Sequence, residues 1–422
     1  MDRCLVPKSP MKIVHAADLH LDSPLTGLTE YEGAPIQEVR SATRRALAAL
    51  VDLCCDEAAA LLLVAGDLYD GDFRDYSTAL CFAEQMARLR EAGTQVAWLR
   101  GNHDAANRIT KHLRTAEHVT ELSSTLPDTV VFESLGVAVH GQGYPRREVT
   151  ENLAQRYPPP RSDLLNVGLL HTALDGREGH ASYAPCTLGD LLGRGYDYWA
   201  LGHVHAREVL AEDPFVVFPG NLQGRHVRET GPKGATVVNT EAGRVVSVEP
   251  RVLDVVRWEL ATVDASACEH VLDVVDAAAA RVDELVRGAD GRVLAVRVMV
   301  VGRTGAHGAL MARQHQLENE LRAYAIERGD VYLEQVRLKT VGSLTAEALA
   351  ERRDALADLF RSIAAVQADE VARDALRREV LAPLSGLAAE LLREQDLDFR
   401  EVLEDAAQLL EGRLIEGDEE GA

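Results

Sequence analysis

Five short hydrophobic runs in the first half of the chain are each followed by polar residues that can bind metal ions. The runs cover residues 13–17, 61–65, 96–99, 167–170 and 198–201. Each has the length and apolar character of a buried strand. Ser41–Glu57 and Tyr76–Glu91, between the first three runs, have the apolar spacing of amphipathic helices. This alternation predicts an α/β architecture.

Short strands dominate the pattern from residue 129 onward. They are predicted at residues 130–132, 137–139, 167–170, 209–210, 215–218, 235–239 and 245–248. The change predicts a second, more antiparallel sheet. We therefore expect a β-sandwich of two mixed sheets flanked by helices.

The pattern changes again near Arg251. Strands at 252–260, 292–301 and 331–341 alternate with helices at 267–286 and 310–327, which predicts a small α+β domain of βαβαβ type. Beyond Leu344 the chain is helical and charged. The expected division is a main domain at 11–250, an α+β cap domain at 251–344, a helical C-terminal region at 345–415 and a disordered tail at 416–422.

Composition and charge narrow the class of protein. The chain has 422 residues, of which 46% are hydrophobic and 27% are charged, as in soluble globular proteins. No apolar stretch approaches the roughly 18 to 20 residues that cross a bilayer, and the first ten residues lack a signal-peptide core. We therefore expect a cytoplasmic protein without a membrane segment. The six cysteines show no Cys-x-x-Cys pairing, so neither a disulfide framework nor a zinc ribbon is indicated.

The net charge of −22 weighs against a nucleic-acid partner, because affinity for DNA comes largely from basic residues. The acidic residues are unevenly placed, however. Residues 345–422 hold 20 Asp and Glu against nine Arg and no Lys, and so carry half of the net charge. The acidity weakens a DNA hypothesis without removing it.

The polar residues after the five runs have the chemistry of metal ligands. The motifs are Asp-Leu-His, Gly-Asp-Leu-Tyr-Asp, Gly-Asn-His-Asp, a lone histidine and Gly-His-Val-His, and they supply Asp18, His20, Asp67, Asn102, His171, His203 and His205. Strands that end at one edge of a sheet deliver their loops to one place. The five motifs are therefore expected to meet in one site.

A two-metal site needs a bridging carboxylate and separate ligands for each ion. Asp67 is the candidate bridge. The first ion is assigned Asp18, His20 and His205, and the second Asn102, His171 and His203. Mixed imidazole and carboxylate ligation favours two divalent transition-metal ions, with Mn expected.

The five motifs together resemble those of the calcineurin-like metallophosphoesterase superfamily. Within it, the Gly-Asp-Leu-Tyr-Asp block and residues 219–229 resemble the SbcD/YhaO-like bacterial DNA repair exonucleases. The resemblance covers residues 11 to about 235, with no motif residue missing. It implies a metallophosphoesterase sandwich that hydrolyses DNA backbone phosphodiesters with a water activated by two metal ions. It also implies that His103 acts beside the metals as a catalytic residue, with Asp70 orienting its ring.

Several interpretations stay open. Arg225, His226, Arg228 and Lys233 could grip a phosphate backbone or form a solvated loop. The helices after Leu344 could pack on their own chain, dock a partner or pair as a homodimer; in the resembling family the partner is a coiled-coil ATPase, here SbcC/YhaN-like. The alternative functions are a phosphoesterase of small nucleotides or other esters, and a non-catalytic scaffold stabilised by metal. His15 and His140 are expected in the core.

Overall fold

The chain is described by a computed structural model that covers residues 9–23, 35, 39–70, 77–106, 116–175, 183–342 and 355–381. In chain order its strands are β1 (Met11–Ala16), β2 (Leu61–Ala65), β3 (Gln95–Leu99), β4 (Val119–Glu121), β5 (Asp128–Phe132), β6 (Val137–Gly141), β7 (Leu165–His171), β8 (Tyr198–Gly202), β9 (Glu208–Glu212), β10 (Phe215–Phe218), β11 (Gly234–Glu241), β12 (Arg244–Val252), β13 (Val256–Asp264), β14 (Val293–Thr304) and β15 (Val331–Gly342). Its α-helices are α1 (Ala42–Asp56), α2 (Ser77–Ala92), α3 (Asn102–Ala106), α4 (Leu188–Leu192), α5 (Val271–Arg287), α6 (His307–Ala312), α7 (Gln314–Arg328), α8 (Ala355–Ala368) and α9 (Glu370–Leu381).

The first sheet has the order β12-β11-β1-β2-β3-β4. Strands β1 to β4 pair in parallel, whereas β11 and β12 are antiparallel additions. The register places Val64 of β2 beside Ala16 of β1, and Ala65 of β2 beside Leu99 of β3. Because these strands end at one level, the loops that follow them leave from the same edge of the sheet.

The second sheet has the order β5-β6-β7-β8-β10-β9. Its central strands β6, β7, β8 and β10 are parallel, and only the edge strands β5 and β9 pair antiparallel. The expectation that this sheet is the more antiparallel of the two is therefore wrong. Long connections after β6 and β7 give the chain room to cross over and re-enter in parallel, which strand length alone does not reveal.

The core explains why these runs form strands buried on both faces. In β2, Leu61 and Leu63 face a cluster shared with Val167 and Leu169 of the second sheet. Leu62 and Val64 face the opposite way, toward the cluster lined by the buried residues of α1. The period-two alternation places every side chain of the run in an apolar layer. The predicted two-sheet sandwich flanked by helices is confirmed.

Both histidines expected in the core are found there. His15 is fully buried, with Nδ1 2.9 Å from the Tyr198 hydroxyl and Nε2 3.1 Å from the Leu201 carbonyl. His140 is also buried, within hydrogen-bonding distance of Thr129 and Asn166. Neither ring belongs to the metal-ligand set.

The chain divides into two compact units. Residues Met1–Glu259 and Ala289–Ala295 form one, and Leu260–Gly288 and Val296–Ala422 form the other. A three-stranded sheet of order β13-β14-β15 follows the sandwich. Within the second unit, α7 contacts β15 and α5. The contact buries Val274 and Val282 of α5 and Leu317 and Leu321 of α7.

Two predicted elements of this region differ from the observed ones. The strand expected at 252–260 is interrupted between β12 and β13, where Leu253 and Asp254 donate their backbone N–H groups to the Lys233 carbonyl. The helix expected at 310–327 is split at Arg313, whose φ of −121° and ψ of 32° are not helical. The first break depends on a contact with Lys233, which is distant in sequence, and the second on the backbone conformation of Arg313. A hydrophobic pattern encodes neither.

The C-terminal helical region is described in part. Helices α8 and α9 lie within the predicted region 345–415. The predicted tail at 416–422 lies outside the described residues, as does the rest of the chain after Leu381. Among the helices that are described, none combines the length and apolar character needed to cross a membrane.

Candidate metal centre

The five motifs come together where the edges of the two sheets meet. Asp18, Asp67 and Asn102 follow β1, β2 and β3, whereas His171 ends β7 and His203 follows β8. The ring of His171 bridges the sheets, because its Nδ1 lies 2.9 Å from the carbonyl oxygen of Ala65. Gly202 is needed at this crossing, since a Cβ there would lie 1.9 Å from the same carbonyl oxygen.

The candidate ligand atoms lie at the mutual spacing expected around metal ions. Asp67 Oδ2 is 3.8 Å from His20 Nε2 and 3.6 Å from His171 Nε2, and Asp18 Oδ1 is 3.8 Å from His205 Nε2. These separations are too long for hydrogen bonds. They are close to the roughly 3 to 3.5 Å that separates two ligands bound about 2.1 Å from one ion. The same Asp67 oxygen thus lies near a histidine of the first motif and near the histidine that ends β7, which is compatible with the predicted bridging role.

His20 gives the most direct sign that the site is built for a cation. Both of its ring nitrogens are buried and have no hydrogen-bond partner among the described residues. Burial, followed by the charge of Arg225, lowers the pKa of His20 to about 3, so its ring is neutral. A buried neutral imidazole without partners is costly unless its lone pair binds something.

The contact between Asn102 and His171 also indicates a cation site. The carbonyl of Ala65 can only accept, so His171 donates its Nδ1 proton there. Its Nε2 lone pair then faces the side-chain oxygen of Asn102 at 2.9 Å. A cation beside both acceptors would offset their repulsion at this distance. The residues present therefore fit divalent metal ions.

The backbone of the ligand loops is strained. Asp18, His20, Asp67 and His203 all have positive φ, of 52°, 43°, 49° and 98°. Non-glycine residues in this region cost free energy and concentrate at functional sites. Hydrogen bonds between the loops hold the geometry, including that from Asp18 N to the Gly66 carbonyl at 3.0 Å.

His203 takes part through both its backbone and its ring. Its N–H donates to Asp18 Oδ2 at 2.9 Å. Its ring lies edge-on to that of His171, with 5.1 Å between centroids, and 5.7 Å from the ring of Tyr183. Within the described part of the chain, three groups of carboxylate and imidazole side chains are compact enough to hold one ion, and His203 is in none of them. The groups are Asp18, His20 and His205; His20, Asp67 and His103; and Asp18, Asp67 and His171.

His103 and Asp70 form the pair that the resemblance implies. His103 Nδ1 lies 2.6 Å from Asp70 Oδ1, and Ser23 donates to the other Asp70 oxygen at 2.6 Å. Burial alone would lower the pKa of His103, but the hydrogen bond to Asp70 and the charges of Asp67 and Asp70 raise it overall. The ring is therefore suited to carry a proton on Nε2.

The predicted substrate-binding residues are in different environments. Arg225 is largely buried, with NH1 3.7 Å from Asp70 Oδ2 and NH2 3.3 Å from Glu229 Oε1. His226 is half-exposed, 3.5 Å from the same carboxylate, and Arg228 is exposed. Of the three, only Arg225 contacts the residues of the metal centre. Lys233 Nζ donates to the backbone carbonyl of His205 at 2.9 Å, and so helps to fix the loop that carries His203 and His205.

Sequence reasoning missed two buried carboxylates. Asp104 accepts hydrogen bonds from the backbone N–H groups of Leu68, Tyr69 and Gly101 at 2.9 to 3.1 Å, which ties the second motif to the third. Burial, followed by the charge of Asp67, raises the pKa of Asp104 to about 7. Glu229 lies 2.6 Å from His205 Nδ1. Asp104 is the final residue of Gly-Asn-His-Asp, and Glu229 is the final residue of the 219–229 segment, but no role was predicted for either side chain.

Comparison with known proteins agrees with this geometry. Residues 11–207 match the calcineurin-like phosphoesterase family, and residues 258–341 match the middle domain of the metallophosphoesterase YhaO. The chain is 37% identical to the uncharacterised metallophosphoesterase YhaO of Bacillus subtilis over 265 residues, which cover 62% of this chain and 65% of that protein.

Two further similarities are more distant. The chain is 28% identical to the DNA double-strand break repair protein Mre11 of Methanopyrus kandleri, over 50% of this chain and 48% of that protein. A dimetal phosphatase from Danio rerio of known structure matches 58% of this chain and 99% of its own, with a TM-score of 0.33 and 11% identity. The chain thus spans less than two thirds of the length of either curated relative. Residues 11–207 are a calcineurin-like metallophosphoesterase domain, in a chain whose matches are consistent with the SbcD/YhaO-like branch.

Proposed function

We propose that the chain is a metal-dependent nuclease of DNA repair that hydrolyses backbone phosphodiesters, acting as an exonuclease. Hydrolysis is supported above all by the position of His103. Asp70 orients its ring, which lies 4.8 Å from the ring of the proposed ligand His20. The DNA part is supported by the similarity to the repair protein Mre11. We further propose Mn as the metal and the cytoplasm as the location.

The chain's own residues divide the work of hydrolysis. Asp18, His20, Asp67, Asn102, His171, His203 and His205 would hold two divalent ions. When bound, these ions supply the positive charge that draws a phosphate and an attacking water together. His103, with Nδ1 fixed on Asp70, holds a proton at Nε2 for the departing oxygen. Arg225 adds a cationic group beside Asp70.

The main rival is a phosphoesterase of small nucleotides or other esters, which would use the same site. The net charge of −22 favours it, because an acidic surface repels a polyanion. A scaffold that uses metal only for stability is the second rival. The pairing of His103 with Asp70 weighs against it, since neither residue is among the seven proposed ligands and their 2.6 Å contact suits proton transfer.

The test is to incubate the full chain with labelled linear DNA, labelled circular DNA and a chromogenic phosphodiester in Mn²⁺. We expect the linear DNA to be degraded from its ends, and activity to be lost in Asp67→Asn. Hydrolysis of the chromogenic ester alone would support the small-ester rival. Absence of hydrolysis with all three substrates would favour the scaffold.

We also propose that the helical region after Leu344 docks a coiled-coil ATPase of SbcC/YhaN type; packing on its own chain and homodimerisation are the alternatives. Val371 of α9 is 75% exposed, and so offers apolar surface for a contact. Co-purification of the full chain with such an ATPase is the expected result. Loss of co-purification in Val371→Asp, with retained DNA cleavage, would locate the contact on this helix.

A further inference from the structure

A buried glutamate behind the ligand His205 has no role in the hydrolysis proposed above. Glu229 is 6% exposed and lies in the loop between β10 and β11. It is not among the seven candidate ligands, and its nearest link to them is the 2.6 Å contact between its Oε1 and His205 Nδ1.

The two oxygens of this carboxylate have different partners. Oε2 accepts from the side-chain amide of Asn221 at 2.9 Å and from the backbone N–H of Arg225 at 2.8 Å. These bonds fix the carboxylate within its own loop. Oε1 instead faces the candidate metal centre, where it contacts His205 Nδ1 and the guanidinium of Arg225.

The contact with His205 determines which ring nitrogen carries the proton. An ionised carboxylate only accepts, so the ring donates its Nδ1 proton to Glu229. The Nε2 lone pair is then directed toward Asp18, whose Oδ1 lies 3.8 Å away. A carboxylate that accepts from the remote nitrogen of a ligand histidine fixes its tautomer and makes the other nitrogen a better donor to a metal.

The same carboxylate reaches the catalytic side of the site through Arg225. One guanidinium nitrogen of Arg225 lies 3.3 Å from Glu229 Oε1, and another lies 3.7 Å from Asp70 Oδ2. Asp70 in turn holds His103. A continuous series of polar contacts therefore runs from the proposed ligand His205 to the proposed proton donor His103.

We propose that Glu229 is a positioning residue of the metal centre. It holds His205 in the tautomer that ligates through Nε2, and it holds Arg225 against Asp70. The proposal rests on the proposed function only in taking the site to be a metal centre; it is independent of the substrate.

The test measures Mn²⁺ binding and the His205 tautomer, without any phosphate ester. We expect Glu229→Gln to weaken Mn²⁺ binding by about 10- to 100-fold in calorimetric titration. Glu229→Asp keeps the charge but has a shorter side chain. Its affinity for Mn²⁺ should lie between that of Glu229→Gln and that of the original chain. The matched control is Glu212→Gln, which removes an exposed glutamate of β9 and should leave binding within twofold.

A double-mutant cycle separates this role from simple support of the loop. If Glu229 acts through His205, then Glu229→Gln should weaken Mn²⁺ binding no further in a His205→Asn background. A loop-supporting role would give additive losses. Additive losses would therefore contradict the proposal.

The second readout is ¹⁵N NMR of histidine-labelled, metal-free protein. We expect His205 to carry its proton on Nδ1 in the original chain and to lose that preference in Glu229→Gln. An unchanged tautomer in this variant would overturn the proposal, even if the protein bound no Mn²⁺. If the original chain binds Mn²⁺ but does not cleave DNA, the proposed function is wrong, whereas the role of Glu229 still stands.

Discussion

Individual residues that bind metal or transfer protons could be predicted from the sequence, but the residues that position them could not. Motif spacing identified Asp67 and His103 because metal and acid chemistry require particular residue types after strands. No role was predicted for Asp104 or Glu229. Asp104 accepts hydrogen bonds from backbone N–H groups of another motif, and Glu229 contacts His205 of a different loop. Such bonds depend on the folded loops and leave no periodic signal.

His103→Gln is the sharpest residue-scale test of the proposed hydrolysis. Glutamine cannot hold a transferable proton, so turnover should fall by about 10²- to 10⁴-fold. Mn²⁺ binding should persist, because His103 belongs to the catalytic pair rather than to the seven proposed ligands. The measurements are steady-state hydrolysis and metal content of the purified variant. Full activity in this variant would refute the assigned role.

A pH-dependent loss of stability is expected from His15. Burial lowers the pKa of His15 to about 3, against about 6.5 when the chain is unfolded. Its neutral form therefore stabilises the fold fully above pH 6.5, and this contribution is lost as the pH falls toward 3. Between about pH 6 and 4 it should reduce the free energy of unfolding by about 1.4 kcal/mol per pH unit.

His15→Gln tests this expectation, because glutamine can accept from Tyr198 and donate to Leu201 without titrating. Denaturant unfolding at several pH values should show a shallower slope for this variant than for the original chain. His315→Gln, at a side chain that is 99% exposed, is the matched control. Equal slopes for the original chain and His15→Gln would contradict the assignment.

At the element scale, the hydrophobic runs predicted the strands well but not their directions. The runs before the five motifs all became strands, because a run buried on both faces fits a parallel sheet covered on two sides. Whether β6 and β7 pair in parallel depends on the connection between them, which the pattern of the strands themselves does not specify. The break before β13 likewise depends on the Lys233 carbonyl, which lies remote in sequence.

Close packing in the second sheet makes Gly168 a sensitive position. A Cβ at this residue of β7 would lie 2.4 Å from the ring of Trp199 on β8. We expect Gly168→Ala to reduce the free energy of unfolding by about 1 to 3 kcal/mol, as overpacked cores do. Thermal or denaturant unfolding gives the value.

Gly189→Ala is the control for this substitution. Gly189 lies in α4, where an added Cβ would meet only Thr187 Oγ1 at 3.7 Å. Alanine is the better helix former, so this variant should be unchanged or stabilised by up to about 1 kcal/mol. A comparable loss in both variants would show that Trp199 does not limit the space at Gly168.

For the whole molecule, net charge and sequence similarity favour different substrates. The net charge of −22 disfavours a DNA substrate, whereas the proposal of a DNA substrate draws on the 28% identity to the DNA repair protein Mre11. Sequence composition could not resolve this conflict, because it averages over the chain and ignores the charge that bound ions would add to the site.

Salt dependence separates the two substrate classes. Binding to DNA displaces counterions, so the affinity should fall by about 10³-fold or more between 50 and 200 mM salt if six or more phosphates are contacted. Hydrolysis of a chromogenic ester should change mildly over the same range. The KM for DNA and for the ester, measured in parallel, gives the comparison. A KM for DNA that is insensitive to salt would favour small esters.

If the ligand loops hold two cations as proposed, Asp67 lies between them. Anomalous diffraction from crystals grown with Mn²⁺ tests this most directly. The predicted result is two manganese peaks about 3.5 to 4 Å apart, with an oxygen of Asp67 bound to each. Crystals saturated with Mn²⁺ that show no peak beside Asp67, or a single peak that Asp67 does not contact, would contradict it.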